Sequence, residues 1–481
     1  MAVIVSIDLG TTKITSLALD VEQRTIIAHG TVPNDAQVTS DVDRLRGRSE
    51  WDAGRIVELG CQCLREVAQR LGERRHEVAG IGITGQQHGV VVVDSTLRPR
   101  TPLINWQDRR GHDPMPGSGA GRSYLEVARE RLGEKATERT GCRIHPGFSA
   151  LTLFWLKENG LLPPAGRACF IMDLFGGLLT GSLPVTEPSC AGSSGLLNVR
   201  TRSWDFDAVA ALGLPPELFP EIREANQPVG LLSNAFAKTT GLPAGTPVFA
   251  PIGDHQASFL GSLRDIHQDV LVNVGTGAQV ALYTDGDQFD PPVELRPLPI
   301  RNNLLSNVGL AGGWSYQALE NFFRRVSRDV FQIDSERPVY ETLTRLAAAV
   351  PPGCDGLVCD PHFSGSRADP SRRGAFGGVT PQNLTPGHFA RAVLEGMARS
   401  LAEGYRLITS SGDRPHRRLV AAGNALRENA VLRESVCEEF GLPLVFTRHR
   451  EEAAFGAALT AAVGAGIFSS LEEAATLIEY E

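Results

Sequence analysis

The feature that most constrains the fold is a β-hairpin pattern that occurs near the start of the chain and again past its middle. The first copy is "SIDLGTTKITSLAL" and the second is "LVNVGTGAQVALY". When Asp8 is aligned with Asn273, residues 10–11 align with residues 275–276, and both copies give a strand, a glycine turn and a second strand. Two such hairpins can match by chance, because Gly-Thr turns are common. The alignment nevertheless predicts two half-molecules of related design.

Around the two hairpins, amphipathic helical patterns alternate with short β-branched runs. We predict strands at residues 3–9, 14–20, 81–84, 90–93, 270–274, 280–283 and 418–421, and helices at residues 53–71 and 426–440. This alternation predicts an α/β protein with mixed sheets. We divide it into an N-terminal lobe, residues 1–258, and a C-terminal lobe, residues 259–481.

Composition argues against several classes of partner. The chain has 481 residues, of which 42% are hydrophobic, so it can build two domains with sizeable cores. Its net charge is −8, with no basic run interleaved with aromatic residues, which argues against nucleic acid as a partner. The longest weakly polar run, residues 453–468, is shorter than the ~20 residues of a membrane helix. We therefore predict a packed helix there and no membrane partner.

The cysteines and the N-terminus indicate the compartment. Eight cysteines are scattered along the chain, with no CxxC pair and no Cys/His spacing typical of a zinc site. We interpret them as reduced thiols of a cytoplasmic protein. The N-terminal "MAVIVSIDLG" lacks a basic region and a cleavage site, so it predicts a first strand rather than a secretion signal.

The first hairpin has the residues expected of a phosphate-binding turn. Gly10 allows a tight bend, and the hydroxyls of Thr11 and Thr12 can donate, with backbone N–H groups, to phosphate oxygens. Lys13 can add positive charge, and Asp8 would lie where a Mg²⁺ ion bridges those oxygens. For this stretch alone, a structural hairpin that binds nothing is the alternative.

The second hairpin offers Gly275, Thr276 and Gly277 for the same purpose, and two such turns across a cleft would grip a polyphosphate. The chain has no Walker A pattern and no GxGxxG after a strand, which excludes the commonest nucleotide-binding folds. The paired hairpins resemble the ATPase fold shared by sugar kinases, actin and heat-shock chaperone ATPases. That resemblance implies an α/β, two-lobed, duplicated ribonuclease H-like fold with a nucleotide in the cleft between the lobes.

One stretch of the C-terminal half is similar to a known family signature. "GAFGGVTPQNLTPGHFARAVLEG", residues 374–396, resembles the second signature of the FGGY carbohydrate kinases over its whole length. The resemblance implies a kinase that uses ATP and Mg²⁺ and binds a small-molecule sugar. The residues themselves predict a helix here, with Thr385 as N-cap and Pro386 as its first residue.

Two stretches resemble the sugar-binding elements of that family. "GITGQQHGVVVVD" places Gln87 and His88 at the end of a predicted strand, where His88 could donate to sugar hydroxyls. In "LINWQDRR", Trp106 could pack on a sugar face, while Asp108 and Arg110 could bind hydroxyls. The alternatives are a structural histidine in the first stretch and an Asp-Arg ion pair in the second.

The stretch "PIGDHQASFLGS" is where we expect the chemistry. Asp254 follows an apolar run and a glycine, just before a predicted helix, so its carboxylate would project into a cleft. From the residues alone, Asp254 could equally be a simple N-cap. The family resemblance implies that Asp254 is the catalytic base, that it shares the Mg²⁺ site with Asp8, and that His255 contacts the substrate.

The end of the chain resembles the adenosine-binding part of the family. Gly423 would let the backbone approach the base or ribose, and Asn424 could hydrogen-bond to it. Gly313, in "GLAGGW", is a further candidate for the nucleotide wall. Small residues at positions 453, 454 and 456–458 would permit close helix packing beneath. A helix C-cap and a core helix are the alternatives for these groups.

Within the family, three stretches are most similar to the sedoheptulokinase branch. They are "TGQQHGVVVVD", "LINWQDRR" and "FSALTLFWLK". Thr152 stands where most relatives have lysine, and that branch also departs from lysine at this position. Gln256 fits the branch as well, whereas xylulokinases typically have Met at the position of Gln87 and Asn at that of His255. We therefore predict phosphorylation of a terminal primary hydroxyl of a ketose, with sedoheptulose first and xylulose, ribulose or gluconate as alternatives.

Two other functions remain open at this level, an ATP-driven conformational switch and a sugar sensor without catalysis. The retained Asp8, both hairpins and Asp254 argue against the sensor, and the sugar-facing elements argue against the switch. A homodimer is a further possible partner arrangement.

Overall fold

The computed structural model describes residues 2–119, 121–300, 302–334, 338–367, 369, 371–409 and 415–481. Each half of the chain is built on one mixed β-sheet with helices packed against it, and a deep cavity lies between the two halves. We call these halves the N-terminal and C-terminal lobes. The predicted α/β, two-lobed architecture with mixed sheets is confirmed.

The N-terminal lobe contains fifteen strands and ten α-helices within residues 2–119 and 121–262. The strands are β1 (Val3–Leu9), β2 (Lys13–Asp20), β3 (Thr25–Pro33), β4 (Glu50–Trp51), β5 (Val78–Gly85), β6 (Val91–Val93), β7 (Leu103–Ile104), β8 (Arg167–Cys169), β9 (Val185–Thr186), β10 (Leu197–Asn198), β11 (Ser203–Trp204), β12 (Glu221–Ile222), β13 (Pro228–Leu231), β14 (Pro247–Phe249) and β15 (Ile252–Gly253). The helices are α1 (Asp41–Leu45), α2 (Ala53–Leu71), α3 (Tyr124–Leu132), α4 (Glu134–Thr140), α5 (Ser149–Glu158), α6 (Ile171–Thr180), α7 (Pro188–Gly192), α8 (Phe206–Ala211), α9 (Asn234–Thr240) and α10 (Asp254–Ser262).

The main N-terminal sheet has the strand order β13-β14-β5-β1-β2-β3, with β15 also paired to β5. β1, β2 and β3 form an antiparallel meander, and β5 runs parallel to both β1 and β15. Asp8 pairs with Thr84 of β5, and Ile252 pairs with the same Thr84 from the other side. The carboxyl ends of β1, β5 and β15 therefore meet at one edge of the sheet.

The C-terminal lobe contains the remaining strands and helices of the described residues. The strands are β16 (Asp269–Val274), β17 (Ala278–Thr284), β18 (Glu294–Leu298), β19 (Asn302–Leu310), β20 (Val358–Asp360), β21 (Ala375–Gly377), β22 (Arg418–Ala422) and β23 (Leu444–Phe446). The helices are α11 (Gly313–Arg325), α12 (Val339–Ala348), α13 (Pro386–Ile408), α14 (Asn424–Glu428), α15 (Ala430–Phe440), α16 (Glu452–Gly464) and α17 (Leu471–Ala475).

The C-terminal sheet repeats the plan of the N-terminal sheet. Its order is β18-β19-β17-β16-β22-β23, with an antiparallel β16-β17-β19 meander and β22 parallel to β16. This arrangement matches β1-β2-β3 with the parallel β5. Asp8 and Asn273 are each the last residue but one of the first strand. The alignment of the two hairpins made from the sequence is therefore reproduced in the structure.

The last two helices, α16 and α17, return to cover the sheet of the N-terminal lobe. A Cβ atom at Gly456 would lie 1.9 Å from the backbone oxygen of Ala257, and one at Gly82 would lie 2.2 Å from the oxygen of Ala457. The Ser6 hydroxyl donates to the backbone oxygen of Ala454 at 2.6 Å. The small residues of α16 thus permit backbone-to-backbone contact with α10 and β5, as their sequence pattern predicted.

Residues between β5 and β13 form a separate apolar cluster, on the cavity side of the N-terminal lobe. Buried residues of α3, α5 and α8 pack together around Phe148, Phe154 and Leu196. The elements that border the cavity next to this cluster carry His88 and Trp106. The predicted sugar-facing elements are therefore presented from a packed scaffold.

Several local predictions can be compared with the structure directly. α2 spans the predicted residues, and α13 begins with Thr385 as N-cap and Pro386 as its first residue. The single helix predicted over residues 426–440 is wrong, because Asn429 leaves the helical conformation and its side chain caps α15 through the Leu432 N–H. All eight cysteines are free, and no helix among the described residues is both long and apolar enough to cross a membrane. The predicted 258/259 boundary falls inside α10.

The contact between α10 and α16 predicts the effect of adding one methyl group. We expect Gly456→Ala to lower the free energy of unfolding by about 1–3 kcal/mol, occasionally more, because backbone atoms cannot yield as a flexible side chain can. Gly176→Ala is the matched control, since a Cβ in α6 would make ordinary contact with Ile83 at 3.4 Å. Denaturant unfolding followed by circular dichroism measures both. Equal stability of the two variants would contradict the tight contact.

Candidate active site

Two carboxylates come together at the edge where β1, β5 and β15 end. Asp8 lies at the end of β1, and Asp254 follows β15 directly as the first residue of α10. The register places Leu9 and Gly253 on either side of Gly85. Asp254 accepts a hydrogen bond at Oδ1 from the backbone N–H of His255 at 2.8 Å. The Asp254 side chain is part-buried rather than sealed in the core.

The environment of these carboxylates favours their protonated forms. Burial and the negative charges of Asp254 and Glu451 raise the pKa of Asp8 to about 7, and the positive charge of Lys13 opposes this shift only weakly. Burial also raises the pKa of Asp254 to about 7, although backbone N–H groups of His255 and Gln87 oppose that shift. Oδ1 of Asp8 is buried and has no hydrogen-bond partner among the described residues. Both groups would be stabilised as anions by a cation between them.

The first hairpin presents its turn at the same edge. A Cβ at Gly10 would lie 2.7 Å from the backbone oxygen of Lys13, so this tight turn needs glycine. Thr11 accepts a hydrogen bond from the indole N–H of Trp106 at 3.0 Å, and Thr12 is exposed. The Lys13 ammonium, predicted to face phosphate, instead pairs with Glu451 of the C-terminal lobe at 2.8 Å.

The second hairpin faces open space. Gly275, Thr276 and Gly277 are all exposed, and a Cβ at Gly277 would meet no atom within 4 Å. The backbone oxygen of Gly275 accepts from the N–H of Gly313 at 2.9 Å, and that of Thr276 accepts from Trp314 at 3.0 Å. The hairpin therefore anchors the start of α11 and lies next to Gly313, whose contact with nucleotide stays a prediction.

Gly423 and Asn424 follow β22, the strand beside β16. Gly423 has a φ of 85°, and a Cβ there would lie 2.8 Å from Oδ1 of Asn273. Asn424 is exposed at the start of α14. The structure thus places both residues next to the second hairpin, at the edge of the C-terminal sheet.

A cavity of about 680 Å³ lies between the lobes. From the N-terminal lobe it is lined by His88, Trp106 and Arg109, and from the C-terminal lobe by Gly277, Trp314 and Arg367, among others. Its walls therefore combine the predicted sugar-facing residues with the second hairpin. Trp106 is 41% exposed and links this cavity to the first hairpin through its hydrogen bond to Thr11.

His88 is held in one orientation on the cavity wall. It has a φ of 72°, its Nδ1 lies 2.8 Å from the backbone oxygen of Ser193, and its ring stacks on Phe148 with centroids 4.3 Å apart. The carbonyl contact requires a proton on Nδ1, which leaves Nε2 as an acceptor. Burial and the positive charges of Arg296 and Arg367 lower the pKa of His88 to about 3, so its ring is neutral.

Asp108 and Arg110 do not reach the cavity, which corrects their predicted contact with sugar hydroxyls. Both are almost completely buried. Arg110 donates from Nε to Asp108 at 2.8 Å and from Nη2 to Glu50 at 2.7 Å, and the Ser49 N–H also donates to Asp108. The pair fixes the loop that carries Trp106, and its polar atoms are occupied. The ion-pair alternative noted above therefore describes these residues.

Gln87 is also turned away from the cavity, which corrects its predicted contact with substrate. Its side chain is buried, and Nε2 donates to Gln256 at 2.8 Å and to the backbone oxygen of Ser189 at 3.1 Å. His255 lies nearer to the other lobe, with Nε2 3.2 Å from the Ser306 hydroxyl. Burial and the charge of Arg296 lower the pKa of His255 to about 4, and its Nδ1 has no partner among the described residues.

Sequence reasoning missed the charged residues that line the cavity. Arg109, next to the predicted Arg110, is exposed on the wall, and His145 and Arg367 border the same space. Burial alone would raise the pKa of Glu294, but the charges of Arg296 and Arg367 outweigh it and lower the pKa to about 2. Asp-Arg-Arg offers two adjacent arginines, and the ion pairs of Arg110 with Asp108 and Glu50 leave Arg109 to face the cavity.

Comparison with known proteins accounts for this combination of fold and site. The model of the FGGY family of carbohydrate kinases matches residues 3–261 with its N-terminal domain and residues 270–465 with its C-terminal domain. The chain belongs to the FGGY family of carbohydrate kinases. Its two-lobed fold and its sugar-kinase class follow from that membership.

Individual relatives cover almost the whole chain. An L-fuculokinase of Escherichia coli (strain K12) is 28% identical over 100% of this chain and 96% of its own length. A xylulose kinase of Bacillus subtilis (strain 168) is 26% identical over 99% of this chain and 91% of its own. The crystal structure of a xylulose kinase from Rhodospirillum rubrum has a TM-score of 0.86, with 24% identity, 100% of this chain covered and 93% of that one. These relatives are named for different sugar substrates.

The donor set of this FGGY site fits a magnesium ion. Asp8 and Asp254 supply hard carboxylate oxygens, one of them buried and unpartnered, and Mg²⁺ usually binds one or two carboxylates together with water and substrate phosphates. Among the described residues, no group of three or more His, Cys, Asp or Glu side chains is placed to hold a metal. A site that is completed by a nucleotide therefore suits this kinase better than a resident metal.

The raised pKa values predict an acid limb in the activity of this sugar kinase. In the enzyme without a bound cation, burial keeps the carboxyls of Asp254 and Asp8 largely protonated below pH 7. We expect kcat/KM for MgATP, which reports this cation-free enzyme, to fall about tenfold per pH unit below 7 for one required anion, and more steeply if both are required. Initial rates from pH 5.5 to 8.5 measure it. A profile that stays flat down to pH 5.5 would contradict the raised values.

Proposed function

We propose that the chain transfers the γ-phosphoryl group of ATP to the terminal primary hydroxyl of a ketose. The observation that carries the proposal is the position of Asp254, at the start of α10, beside Asp8 and the first hairpin. A carboxylate there can receive the proton of an attacking hydroxyl. The phosphate tail would lie between the two hairpin turns.

The proposed catalysis consists mainly of positioning and charge neutralisation. Asp254, as an anion, accepts the hydroxyl proton while the sugar oxygen attacks the γ-phosphorus in line with the leaving ADP oxygen. Asp8 and Asp254 would hold Mg²⁺, which supplies positive charge to the phosphates. The exposed turn of Gly275, Thr276 and Gly277 supports the proposal. The Gly275 N–H donates to the oxygen of Gly277, but those of Thr276 and Gly277 make no backbone hydrogen bond with the described residues.

We propose sedoheptulose as the acceptor. The proposal is supported by the similarity of the stretches around Gln87, Trp106 and Gln256 to the sedoheptulokinase branch, and by the size of the cavity, about 680 Å³. Gln87 and Gln256 act indirectly in this proposal, because they bond to each other and Gln256 also donates to the oxygen of Pro297. Neutral His88 and His255 are suited to hydrogen-bond uncharged hydroxyls.

A sugar acid is the second candidate, and the charge of the cavity favours it. Arg109, Arg129, Arg143 and Arg367 all line the wall, and the one carboxylate among the lining residues, Glu294, is already bonded to Arg296 and Arg367. Arg109 and Arg143 are exposed and make no side-chain hydrogen bond or ion pair with the described residues. A carboxylate at the far end of the substrate would be stabilised there.

The substrate proposal predicts an order of acceptors. With ATP and Mg²⁺, we expect the highest kcat/KM for sedoheptulose in a panel that also contains xylulose, ribulose, L-fuculose and gluconate. An NADH-coupled assay of ADP release measures each acceptor. A preference for gluconate that Arg109→Gln abolishes, while Arg122→Gln on the exposed surface does not, would establish the second candidate instead.

The base proposal predicts a selective loss in one variant. We expect Asp254→Asn to lower kcat about 10²–10⁴-fold with little change in ATP affinity, because an amide cannot accept the hydroxyl proton. Asp207→Asn, at an exposed position of α8, is the matched control and should keep full activity. Turnover and ATP binding by calorimetry separate the two effects. Full activity of Asp254→Asn would remove this residue from the role.

Two further features stay proposals. We propose that the enzyme acts in the cytoplasm, where ATP is supplied, and that it can form a homodimer. Light scattering at micromolar concentration tests the second point.

A further inference from the structure

We propose that Glu187 and Ser189 are positioning residues for Asp254, holding the turn that carries it through a hydrogen bond to the Gly253 N–H. We call Glu187, Ser189 and Gln87 the turn clamp. The proposal rests on the role of Asp254 proposed above. It concerns buried residues beneath the carboxylate that are not part of the cavity lining.

The first part of the clamp is a buried hydrogen-bond pair at the start of α7. Glu187 is the N-cap of this helix, and its Oε2 accepts the backbone N–H of Ser189 at 2.6 Å. The hydroxyl of Ser189 donates to the same oxygen. Both side chains are completely buried. Because two donors converge on Oε2, that oxygen is the acceptor whether the Glu187 carboxyl is ionised or protonated.

This pair sets the direction of the next hydrogen bond. A serine hydroxyl has one proton, and Ser189 gives its proton to Glu187, so the lone pairs of Oγ must face its other neighbour. That neighbour is the backbone N–H of Gly253, 3.0 Å away. Gly253 is the residue directly before Asp254. Glu187 thus orients Ser189 as a fixed acceptor for the turn.

Gln87 holds the same turn from its other side. Its Nε2 donates to the backbone oxygen of Ser189 at 3.1 Å and to Oε1 of Gln256 at 2.8 Å. A Cβ at Gly253 would lie 1.8 Å from that nitrogen, so the amide rests directly on the turn. The thiol of Cys190, next to Ser189, lies 3.4 Å from the oxygen of Pro251. Residues before and after Asp254 are therefore both fixed.

The clamp explains why a part-buried carboxylate at a helix start keeps one orientation. Among the described residues, the Asp254 carboxylate accepts hydrogen bonds only from backbone N–H groups. The turn before it is held by the two-residue pairing of Ile252–Gly253 with β5 and by the clamp. A displacement of about 1 Å at a reacting group can cost about 10²-fold in rate. The clamp should therefore affect kcat and leave ATP binding alone.

A double-mutant cycle tests the role of Ser189 as a positioning residue. We expect Ser189→Ala to lower kcat about 10–100-fold with the KM for ATP within about twofold of wild type. In an Asp254→Asn background the same change should cost less than about twofold, because the group it positions is gone. Equal losses in both backgrounds, or an unchanged kcat, would overturn the proposal.

Ser194→Ala is the matched control. Ser194 is equally buried near the same helix, but its hydroxyl donates to Ala191 and accepts the Leu196 N–H at 2.9 Å, so it does not touch the turn. We expect this variant to keep wild-type kcat. If Ser189→Ala does not fold, Glu187→Gln enters the same cycle, since it keeps the volume of the side chain.

A measurement without substrate separates this proposal from the proposed function. Hydrogen exchange followed by mass spectrometry on the peptide covering residues 250–256 reports the Gly253 N–H. We expect one amide to exchange faster in Ser189→Ala and at the wild-type rate in Ser194→Ala. Unchanged exchange would overturn the clamp, even if the enzyme is an active kinase. Faster exchange without activity towards any acceptor would support the clamp while contradicting the proposed function.

Discussion

The constraint on which the rest of the structure depends is a pair of part-buried carboxyl groups, those of Asp8 and Asp254, held close together. Asp8 and Asp254 meet because β1 and β15 both run parallel to β5 and end at the same edge. The shift in the pKa of Asp8 from 3.8 to about 7 corresponds to about 4 kcal/mol against its ionised form. In the proposed function, this cost is offset when a cation and the polyphosphate of the nucleotide bind. The exposed second hairpin would then contact that polyphosphate from the C-terminal lobe.

The position of Asp254 also depends on how the end of the chain is packed. Asp254 begins α10, and the other end of that helix is pressed against α16, since a Cβ at Gly261 would lie 2.0 Å from the oxygen of Glu452. Glu451, just before α16, pairs with Lys13 of the first hairpin. The start of α16 therefore contacts both α10, which carries the proposed base, and the first hairpin.

The features that could be predicted from sequence are those specified by local chemistry. Hydrophobic periodicity, turn residues and capping residues predicted both hairpins, α2 and the capped start of α13. Each was predicted within one or two residues. The orientation of side chains inside loops could not be predicted, because it depends on partners far away in sequence. Arg110 faces inward because Asp108 and Glu50 occupy it, which leaves Arg109 facing the cavity. Gln87 likewise turns to Gln256, a residue that no local pattern connects to it.

Charge in the cavity then bears on which acceptor can be recognised. Burial and the arginines keep His88 and His145 neutral, with pKa values of about 3, so the imidazoles act as directional hydrogen-bond partners rather than as cations. Hydroxyl groups are matched to such partners. Glu294 is bonded to Arg296 and Arg367, so it does not offset Arg109 on the same wall. A neutral ketose would hydrogen-bond to the histidines and leave Arg109 in contact with solvent. A sugar acid would hydrogen-bond to the histidines and also pair its carboxylate with Arg109. The choice between them therefore turns on whether Arg109 contributes to acceptor binding.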